Sequence, residues 1–172
     1  GSMAARDLES MLHPQTHLAQ HARTGPMMLK RAQGVYMYDD HGKQYLEGLA
    51  GLWCTSLGYG NEELARAAYD QIKELSYAQL FSSKSHEVGV LLAEKIKALV
   101  PLHKSKVFFG NSGSDANDTQ IKLVWYYNNV LGRPAKKKII GRVKGYHGIT
   151  LASGSLTGLP PMHYQWDLPL DG

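Results

Sequence analysis

The residues with the clearest chemical potential lie in FFGNSGSDANDTQIKL, residues 108–123, where apolar residues run into small polar ones. Gly110 and Gly113 allow the backbone to turn tightly and to approach a ligand closely. Ser112 and Ser114 add hydroxyl groups, and a helix starting here would offer free N–H groups and partial positive charge. Together these features favour a bound phosphate. Serine is also a common N-cap residue, so helix capping without a ligand is the alternative interpretation.

A second group of residues, RVKGYHGITLASGSL, follows the next predicted strand. Tyr146 is expected to emerge at the same edge of the sheet as Ser114, with Gly145 and Gly148 clearing space around it. An aromatic side chain there can stack on a flat ring whose phosphate is held by the neighbouring loop. Taken by itself, Tyr146 also fits an ordinary core or surface aromatic.

Other phosphate-binding classes find little support in the sequence. The Walker A pattern and the Gly-x-Gly-x-x-Gly pattern are both absent around this loop. The net charge is +4, but the one concentrated basic run is Lys136 to Lys138. We interpret this run as a solvated strand entrance, since no aromatic-rich basic face accompanies it. A nucleic-acid partner is therefore not expected.

Strands and helices of the second half must position these groups. Residues 107–109 are predicted to form a short buried strand, followed by a helix from about Ser114 to Leu131. KKIIGRV then predicts a second strand that ends at about residue 143. Strand, long helix and strand in this order predict a right-handed βαβ crossover and a parallel sheet covered by helices. Ligands gather at the carboxyl ends of such strands.

The first half is predicted to contain a β-hairpin and two helices. Val35, Tyr36 and Tyr38 favour a strand, residues 39–42 form the turn, and residues 44–47 return. One helix is capped by Asn61, and a second begins near Ser85 and is stopped by Pro101. The apolar stripe of the first helix is Leu64, Ala68, Ile72 and Leu75, and the predicted buried face of the second is Val88, Leu91, Leu92, Ile96 and Leu99.

Three histidines near the start of the chain are spaced four residues apart, at His13, His17 and His21. On a helix this spacing would place them on one face, where a metal ion is conceivable. No carboxylate or cysteine joins them at ligand spacing, and Pro14 indicates a helix start or a break. We therefore predict an exposed histidine face and no metal site.

Composition places the chain among globular proteins. It has 172 residues, of which 43% are hydrophobic and 20% charged. No apolar run approaches the roughly 20 residues of a membrane span, so no membrane association is expected. A single cysteine, Cys54, fits a reducing compartment and predicts a cytoplasmic protein. Residues 1–3 are interpreted as a cloning scar.

The order and spacing of four motifs resemble the N-terminal portion of a class III aminotransferase. These motifs are GPMML, GVYMYDDHGKQYLEGLAGLWCTSLGYG, FFGNSGSDANDTQIKL and GYHG. Members of this family are pyridoxal-5′-phosphate (PLP) enzymes of fold type I, and the likeness is strongest to ω-transaminases that use pyruvate. The resemblance implies an α/β fold, with an N-terminal segment and β-hairpin over residues 4–60. Residues 61–172 would then begin the large PLP-binding domain and its mostly parallel sheet.

The resemblance also implies roles for individual residues around the cofactor. Gly113 and Ser114 would hold the cofactor phosphate, with Ser112 shaping the same turn. Tyr146 would stack on the pyridine ring. Asp115 stands where many relatives carry glutamate, which keeps a negative charge at the start of the helix.

On the substrate side, the resemblance implies that Trp53 lines the pocket and that Phe81 enters the active site of the other subunit of a homodimer. The reaction would move an amino group from a primary amine or ω-amino acid to a keto acid such as pyruvate. The family's Schiff-base lysine lies further along than Gly172, and none of the thirteen lysines here has a matching context. No catalytic residue is therefore assigned, and this chain by itself is expected to be inactive. A non-catalytic cofactor-binding or assembly fragment is the alternative.

Overall fold

The computed structural model describes residues 1–102 and 105–171, so Gly172, the end of the predicted second segment, lies outside the described residues. The chain forms two compact units, unit 1 over residues 1–85 and unit 2 over residues 86–172. The elements of unit 1 are α1 (Met3–Ser10), α2 (Leu18–Thr24), β1 (Leu29–Gln33), β2 (Tyr36–Asp39), β3 (Gln44–Leu46), α3 (Ala50–Trp53) and α4 (Glu62–Leu75). Those of unit 2 are α5 (Glu87–Leu99), α6 (Gly113–Val130) and α7 (Leu151–Leu156). None of the described helices is long and apolar enough to cross a bilayer.

Unit 1 contains a three-stranded antiparallel sheet in the order β1-β2-β3. Strands β2 and β3 form the predicted hairpin, with Tyr36 opposite Leu46 and Tyr38 opposite Gln44. The sequence analysis missed β1, which pairs with the other edge of β2 and carries an irregularity between Leu29 and Arg31.

The turn of the hairpin is organised by one carboxylate, that of Asp39. Its Oδ1 accepts hydrogen bonds from the backbone N–H groups of His41 and Lys43, at 3.0 and 2.9 Å. Its Oδ2 accepts a hydrogen bond from the Tyr45 hydroxyl at 2.8 Å. Gly42 has a φ of +84°, a left-handed conformation that glycine adopts without strain. The Asp39 side chain thus fixes both the turn and the returning strand.

Both predicted helices of the first half are present, and each begins at a side-chain cap. The Asn61 side chain accepts a hydrogen bond from the Leu64 N–H at 3.0 Å and starts α4, which confirms the predicted cap. Helix α5 starts two residues later than Ser85, because His86 caps it by accepting from the Gly89 N–H at 3.1 Å. A histidine cap was not anticipated.

The two strands predicted around α6 are not formed. Residues 107–109 and 137–142 belong to no strand, although α6 itself lies between them as expected. A β-strand requires a hydrogen-bonded neighbour, and the one pairing in this part of the described chain is an isolated parallel bridge between Val143 and Gly158. The prediction of a paired parallel sheet within these residues was therefore wrong.

The predicted buried face of α5 is also wrong. Its apolar residues Val88, Leu91, Leu92 and Leu99 are between 48% and 84% exposed. Among the large apolar side chains of the described residues, Ile121 in α6 is the buried one, at 7% exposure. Periodicity identified which face is apolar, but burial requires a packing partner that the described residues do not provide.

The three histidines do not share one face. Helix α1 ends at Ser10, before Pro14, and α2 begins at Leu18, so no single helix carries the histidines. His17 caps α2 by accepting a hydrogen bond from the Gln20 N–H at 3.2 Å. His13 and His21 are instead half-buried beside Asp7. The predicted exposed face is wrong because the chain folds back on itself between the two helices.

Candidate functional site

The loop that precedes α6 is held by reciprocal hydrogen bonds. The hydroxyl of Ser112 accepts a hydrogen bond from the N–H of Asp115 at 3.1 Å, and its carbonyl accepts one from Ala116 at 3.0 Å. The Asp115 carboxylate reaches back and accepts a hydrogen bond from the Asn111 N–H at 3.0 Å. This arrangement is close to a capping box and fixes the turn before the helix.

Two backbone donors at the start of α6 have no hydrogen-bond partner in the part of the chain that the structure describes. Within the described residues, no hydrogen bond uses the N–H groups of Gly113 or Ser114. These are the first two positions of an 18-residue helix, whose dipole favours negative charge at this end. A Cβ atom placed on Gly113 would meet no heavy atom within 4 Å. Free donors beside open space are what an anion requires.

The loop of residues 145–149 lies against the first turns of α6. The hydroxyl of Ser114 accepts a hydrogen bond from the Ile149 N–H at 3.0 Å, and the Asn117 side chain donates to the His147 carbonyl at 2.6 Å. Gly148 is buried with a φ of +133°, and a Cβ there would collide with the hydroxyl groups of two serines. Glycine is therefore required for the close approach of this loop to the helix.

A polar network behind this contact was not found from the sequence. Oδ1 of Asp118 accepts hydrogen bonds from the hydroxyl of Thr150 at 2.7 Å and from the N–H of Ser153 at 2.9 Å. Thr157 is fully buried. Its hydroxyl accepts a hydrogen bond from the His147 N–H at 2.9 Å and donates one to the Gly148 carbonyl at 3.0 Å. The serine- and threonine-rich run of residues 150–157 was the signal that could have indicated it. The network joins α6 to the start of α7 through Asp118, and Thr157 bonds to the loop that carries Tyr146.

Tyr146 is carried by this supported loop. Its neighbour His147 is bonded through both backbone groups, while the Tyr146 side chain is 55% exposed. Nε2 of His147 is buried and has no hydrogen-bond partner among the described residues. The structure thus brings the Tyr146 loop to Ser114 through hydrogen bonds with α6, not through the predicted edge of a sheet, and leaves Tyr146 more than half exposed.

The two predicted substrate residues lie in unit 1, each in or beside a left-handed stretch of backbone. Residues 50–53, which include Trp53, have φ values between 51° and 69°. Ser82 and Ser83, which follow Phe81, have φ values of 55° and 61°. The side chains of Trp53 and Phe81 are 75% and 80% exposed. Such backbone is uncommon for residues other than glycine and clusters at functional sites.

Comparison with known protein families identifies the family to which the chain belongs. Residues 18–169, most of the chain, match the family model of class-III aminotransferases. The chain therefore belongs to the class-III aminotransferase family, as the motifs predicted.

Individual relatives agree with this assignment. The chain is 53% identical over 145 residues to gamma aminobutyrate transaminase 3, chloroplastic, from Solanum lycopersicum, a match that covers 84% of this chain and 28% of that protein. It superposes on the omega transaminase from Pseudomonas jessenii in complex with PMP with a TM-score of 0.97 and 52% identity, covering 100% of this chain and 38% of that one. The chain thus spans well under half the length of these relatives.

A third relative carries substitutions that bear on the aromatic residues. It is a thermostable omega transaminase variant engineered for asymmetric synthesis of enantiopure bulky amines, with a TM-score of 0.96 and 51% identity over 99% of this chain and 38% of that one. Its substitutions replace a tryptophan, a phenylalanine and an arginine, and the first two lie 28 positions apart.

These structures settle the fold class. The chain has the α/β fold of the N-terminal portion of fold type I transaminases, with a small sheet in unit 1. The two strands predicted on either side of α6 are not formed in the described residues, but the predicted fold class is confirmed.

Proposed function

We propose that this chain supplies part of the substrate pocket of a PLP-dependent aminotransferase and its phosphate cradle, by which we mean the start of α6 at Gly113 and Ser114. The reaction moves an amino group from a primary amine or ω-amino acid to a keto acid such as pyruvate. The observation that carries the proposal is that the N–H groups of Gly113 and Ser114 have no hydrogen-bond partner among the described residues and lie beside a loop that bears an accessible tyrosine. When bound, the cofactor supplies a reactive carbonyl and an electron-accepting ring.

The start of α6 fits the cofactor phosphate. The two free N–H groups donate to phosphate oxygens, and the helix dipole stabilises the doubly negative ester. The Ser114 hydroxyl already accepts from Ile149, so its own proton is available for donation to the anion. Ser112 has a different role, because its hydroxyl is engaged in capping and shapes the turn. The Asp115 carboxylate is likewise held by Asn111.

Tyr146 positions the cofactor ring. Its loop is bonded both to α6 and to Thr157, so the tyrosine is presented on supported backbone. Offset stacking of an aromatic side chain on a second ring contributes about 0.5–1.5 kcal/mol beyond the area buried. Residues 61–172 are accordingly proposed to begin the cofactor-binding domain, and residues 4–60 to form the N-terminal segment.

Trp53 and Phe81 are proposed to shape the substrate pocket. They lie 28 positions apart, the same separation as the tryptophan and phenylalanine replaced in the relative engineered for bulky amines. Both side chains are exposed, and both adjoin left-handed backbone. In a homodimer, Phe81 would enter the active site of the other subunit. The lysine that bonds the cofactor is proposed to lie outside these 172 residues. The single cysteine, exposed and unpaired, supports a cytoplasmic location.

Comparison of two ligands that differ only in the phosphate tests the cradle. Pyridoxamine 5′-phosphate and pyridoxamine both lack the aldehyde, so neither can react with surface lysines. We expect isothermal titration to show at least about tenfold tighter binding of the phosphate ester, equivalent to about 1.4 kcal/mol. Gly113→Leu should abolish this difference by filling the open space beside the two N–H groups.

Gly48→Leu is the matched control, because a Cβ at Gly48 also meets nothing within 4 Å and its φ is not in the left-handed range. This variant should bind the phosphate ester as the unsubstituted chain does. Equal affinity for the two ligands, or undiminished binding by Gly113→Leu, would contradict the proposal.

A further inference from the structure

Three potential metal ligands meet in unit 1, far along the chain from the cofactor residues. Asp7 is on α1, His13 lies in the connection between the first two helices, and His21 is on α2. One donor atom from each lies within 4.8 Å of the donors of the other two. All three residues are half-buried, and the two imidazole rings are 4.4 Å apart between centroids. The cluster closes a loop between two short helices.

The separations between donor atoms suit tetrahedral coordination. Nε2 of His13 is 2.9 Å from Oδ2 of Asp7, and Nε2 of His21 is 3.5 Å from the same oxygen. Zinc bonds to nitrogen and oxygen ligands at about 2.0–2.1 Å, which at tetrahedral angles separates neighbouring ligand atoms by about 3.3 Å. The two observed separations lie on either side of this value. Small side-chain adjustments would therefore admit an ion.

The hydrogen bonding of the cluster is incomplete. Nε2 of His13 is hydrogen-bonded to the Asp7 carboxylate at 2.9 Å. Nε2 of His21, in contrast, is buried and makes no hydrogen bond with any described residue. A buried nitrogen without a partner is costly in a folded protein. A metal ion bound by Asp7 and both histidines would satisfy this nitrogen.

We propose that Asp7, His13 and His21 form a zinc-binding site with one position open to water. Two neutral imidazoles and one carboxylate are ligands that Zn²⁺ accepts, whereas Mg²⁺ and Ca²⁺ prefer all-oxygen sets. The bound ion ties α1 to α2. The site shares no residue with the proposed cofactor site, since all three of its ligands belong to unit 1.

His17 provides an internal control. It belongs to the same segment, but its ring is exposed and caps α2 through Nδ1, and it is not part of the three-residue cluster. A metal held by this cluster must depend on His21 and not on His17. Nonspecific binding to surface histidines would depend on both.

The test is metal titration of the full chain after treatment with a chelator and dialysis. We expect one Zn²⁺ per chain by isothermal titration, and Co²⁺ should give the intense visible absorption of a tetrahedral site. His21→Ala and Asp7→Ala should each weaken Zn²⁺ binding by more than about 100-fold, since losing a ligand costs more than losing an outer-shell partner. His17→Ala should bind as the unsubstituted chain does, and Mg²⁺ should not compete.

Several results would overturn the assignment. These are less than one Zn²⁺ per chain, a Co²⁺ spectrum typical of the hydrated ion, or equal losses in His17→Ala and His21→Ala. Circular dichroism of each variant shows whether α1 and α2 are retained. If a variant unfolds, the stoichiometry and Co²⁺ spectrum of the unsubstituted chain still decide the question.

Discussion

Tyr146 combines an accessible ring with a constrained backbone. The residue that follows it bonds to α6 through its carbonyl and to Thr157 through its N–H, so the loop has little freedom to turn away. Tyr146 is more than half exposed, although exposure of an apolar ring to water is unfavourable. A flat ligand would cover this surface.

Replacing this tyrosine tests the stacking role. Tyr146→Ala should weaken binding of pyridoxamine 5′-phosphate by about 2- to 12-fold, the equivalent of the 0.5–1.5 kcal/mol of an aromatic pair. Tyr146→Phe keeps the ring and should bind within about twofold of the unsubstituted chain. Isothermal titration measures both. Equal binding by the alanine variant would show that the ring does not contact the ligand.

At the scale of elements, the contact between α6 and α7 depends on Asp118. One oxygen of its carboxylate accepts both a hydroxyl hydrogen bond and a backbone hydrogen bond at the start of α7. Asp118→Ala should lower the free energy of unfolding of unit 2 by about 1–3 kcal/mol, because two donors lose their acceptor. Asp118→Asn keeps an oxygen acceptor and should cost less. Amide hydrogen exchange of α7 reports the change; equal protection in the two variants would count against this role.

The hairpin in unit 1 should respond to pH at both extremes. Partial burial raises the pKa of Asp39, but hydrogen bonds from Tyr45, Lys43 and His41 outweigh it and lower that pKa below 3.8. The stabilisation of the hairpin by ionised Asp39 is therefore present above pH 3.8 and is lost as the pH falls through the lowered pKa. The hydrogen bond to Asp39 raises the pKa of Tyr45 above 10.0, and burial raises it further by a smaller amount. The stabilisation of the hairpin by the protonated Tyr45 hydroxyl is therefore present below pH 10.0 and is lost as the pH rises through the raised pKa.

Hydrogen exchange of the Gly42 N–H, which donates to the Asp39 carbonyl, measures the acid side of this dependence. Protection relative to the intrinsic exchange rate should be constant near pH 5 and decrease toward pH 2. Asp39→Asn should abolish the decrease, because the amide does not titrate in this range. The same decrease in the variant would assign the effect to another group.

Elements defined by local chemistry were predictable from the sequence. Asn61 marked a helix start, residues 39–42 marked a turn, and α6 followed Ser112, because caps and turns depend on neighbouring residues. Elements that need distant partners were not predictable. The apolar residues 107–109 do not form a strand without a hydrogen-bonded neighbour, and the pairing of Asp7 with His13 and His21 depends on how two helices fold back. The polar residues of the loop were found, but the Asp118 network was not, since it joins side chains more than 30 positions apart.

At the scale of the whole molecule, many large apolar residues of the described chain are exposed. Apolar residues of α4 contribute, with Leu64 and Ile72 at 54% and 62% exposure. An exposed apolar stripe along a helix is typical of an interface with other polypeptide.

The chain should consequently self-associate in solution. Light scattering is expected to give an apparent mass that rises with protein concentration. Ile72→Glu should reduce this rise by placing a charge on the apolar stripe of α4. Lys73→Glu, at the next position, adds negative charge off that stripe and should have less effect. A mass of 19.0 kDa that does not change with concentration would contradict this expectation.

The most direct test of the central claim is to observe the amide signals of the proposed cradle. On addition of pyridoxamine 5′-phosphate to ¹⁵N-labelled protein, the signals of Gly113 and Ser114 should shift most, because their N–H groups donate to the phosphate. Pyridoxamine should leave both signals nearly unchanged. Unmoved signals at these two positions with the phosphate ester, or equal shifts with both ligands, would contradict the account.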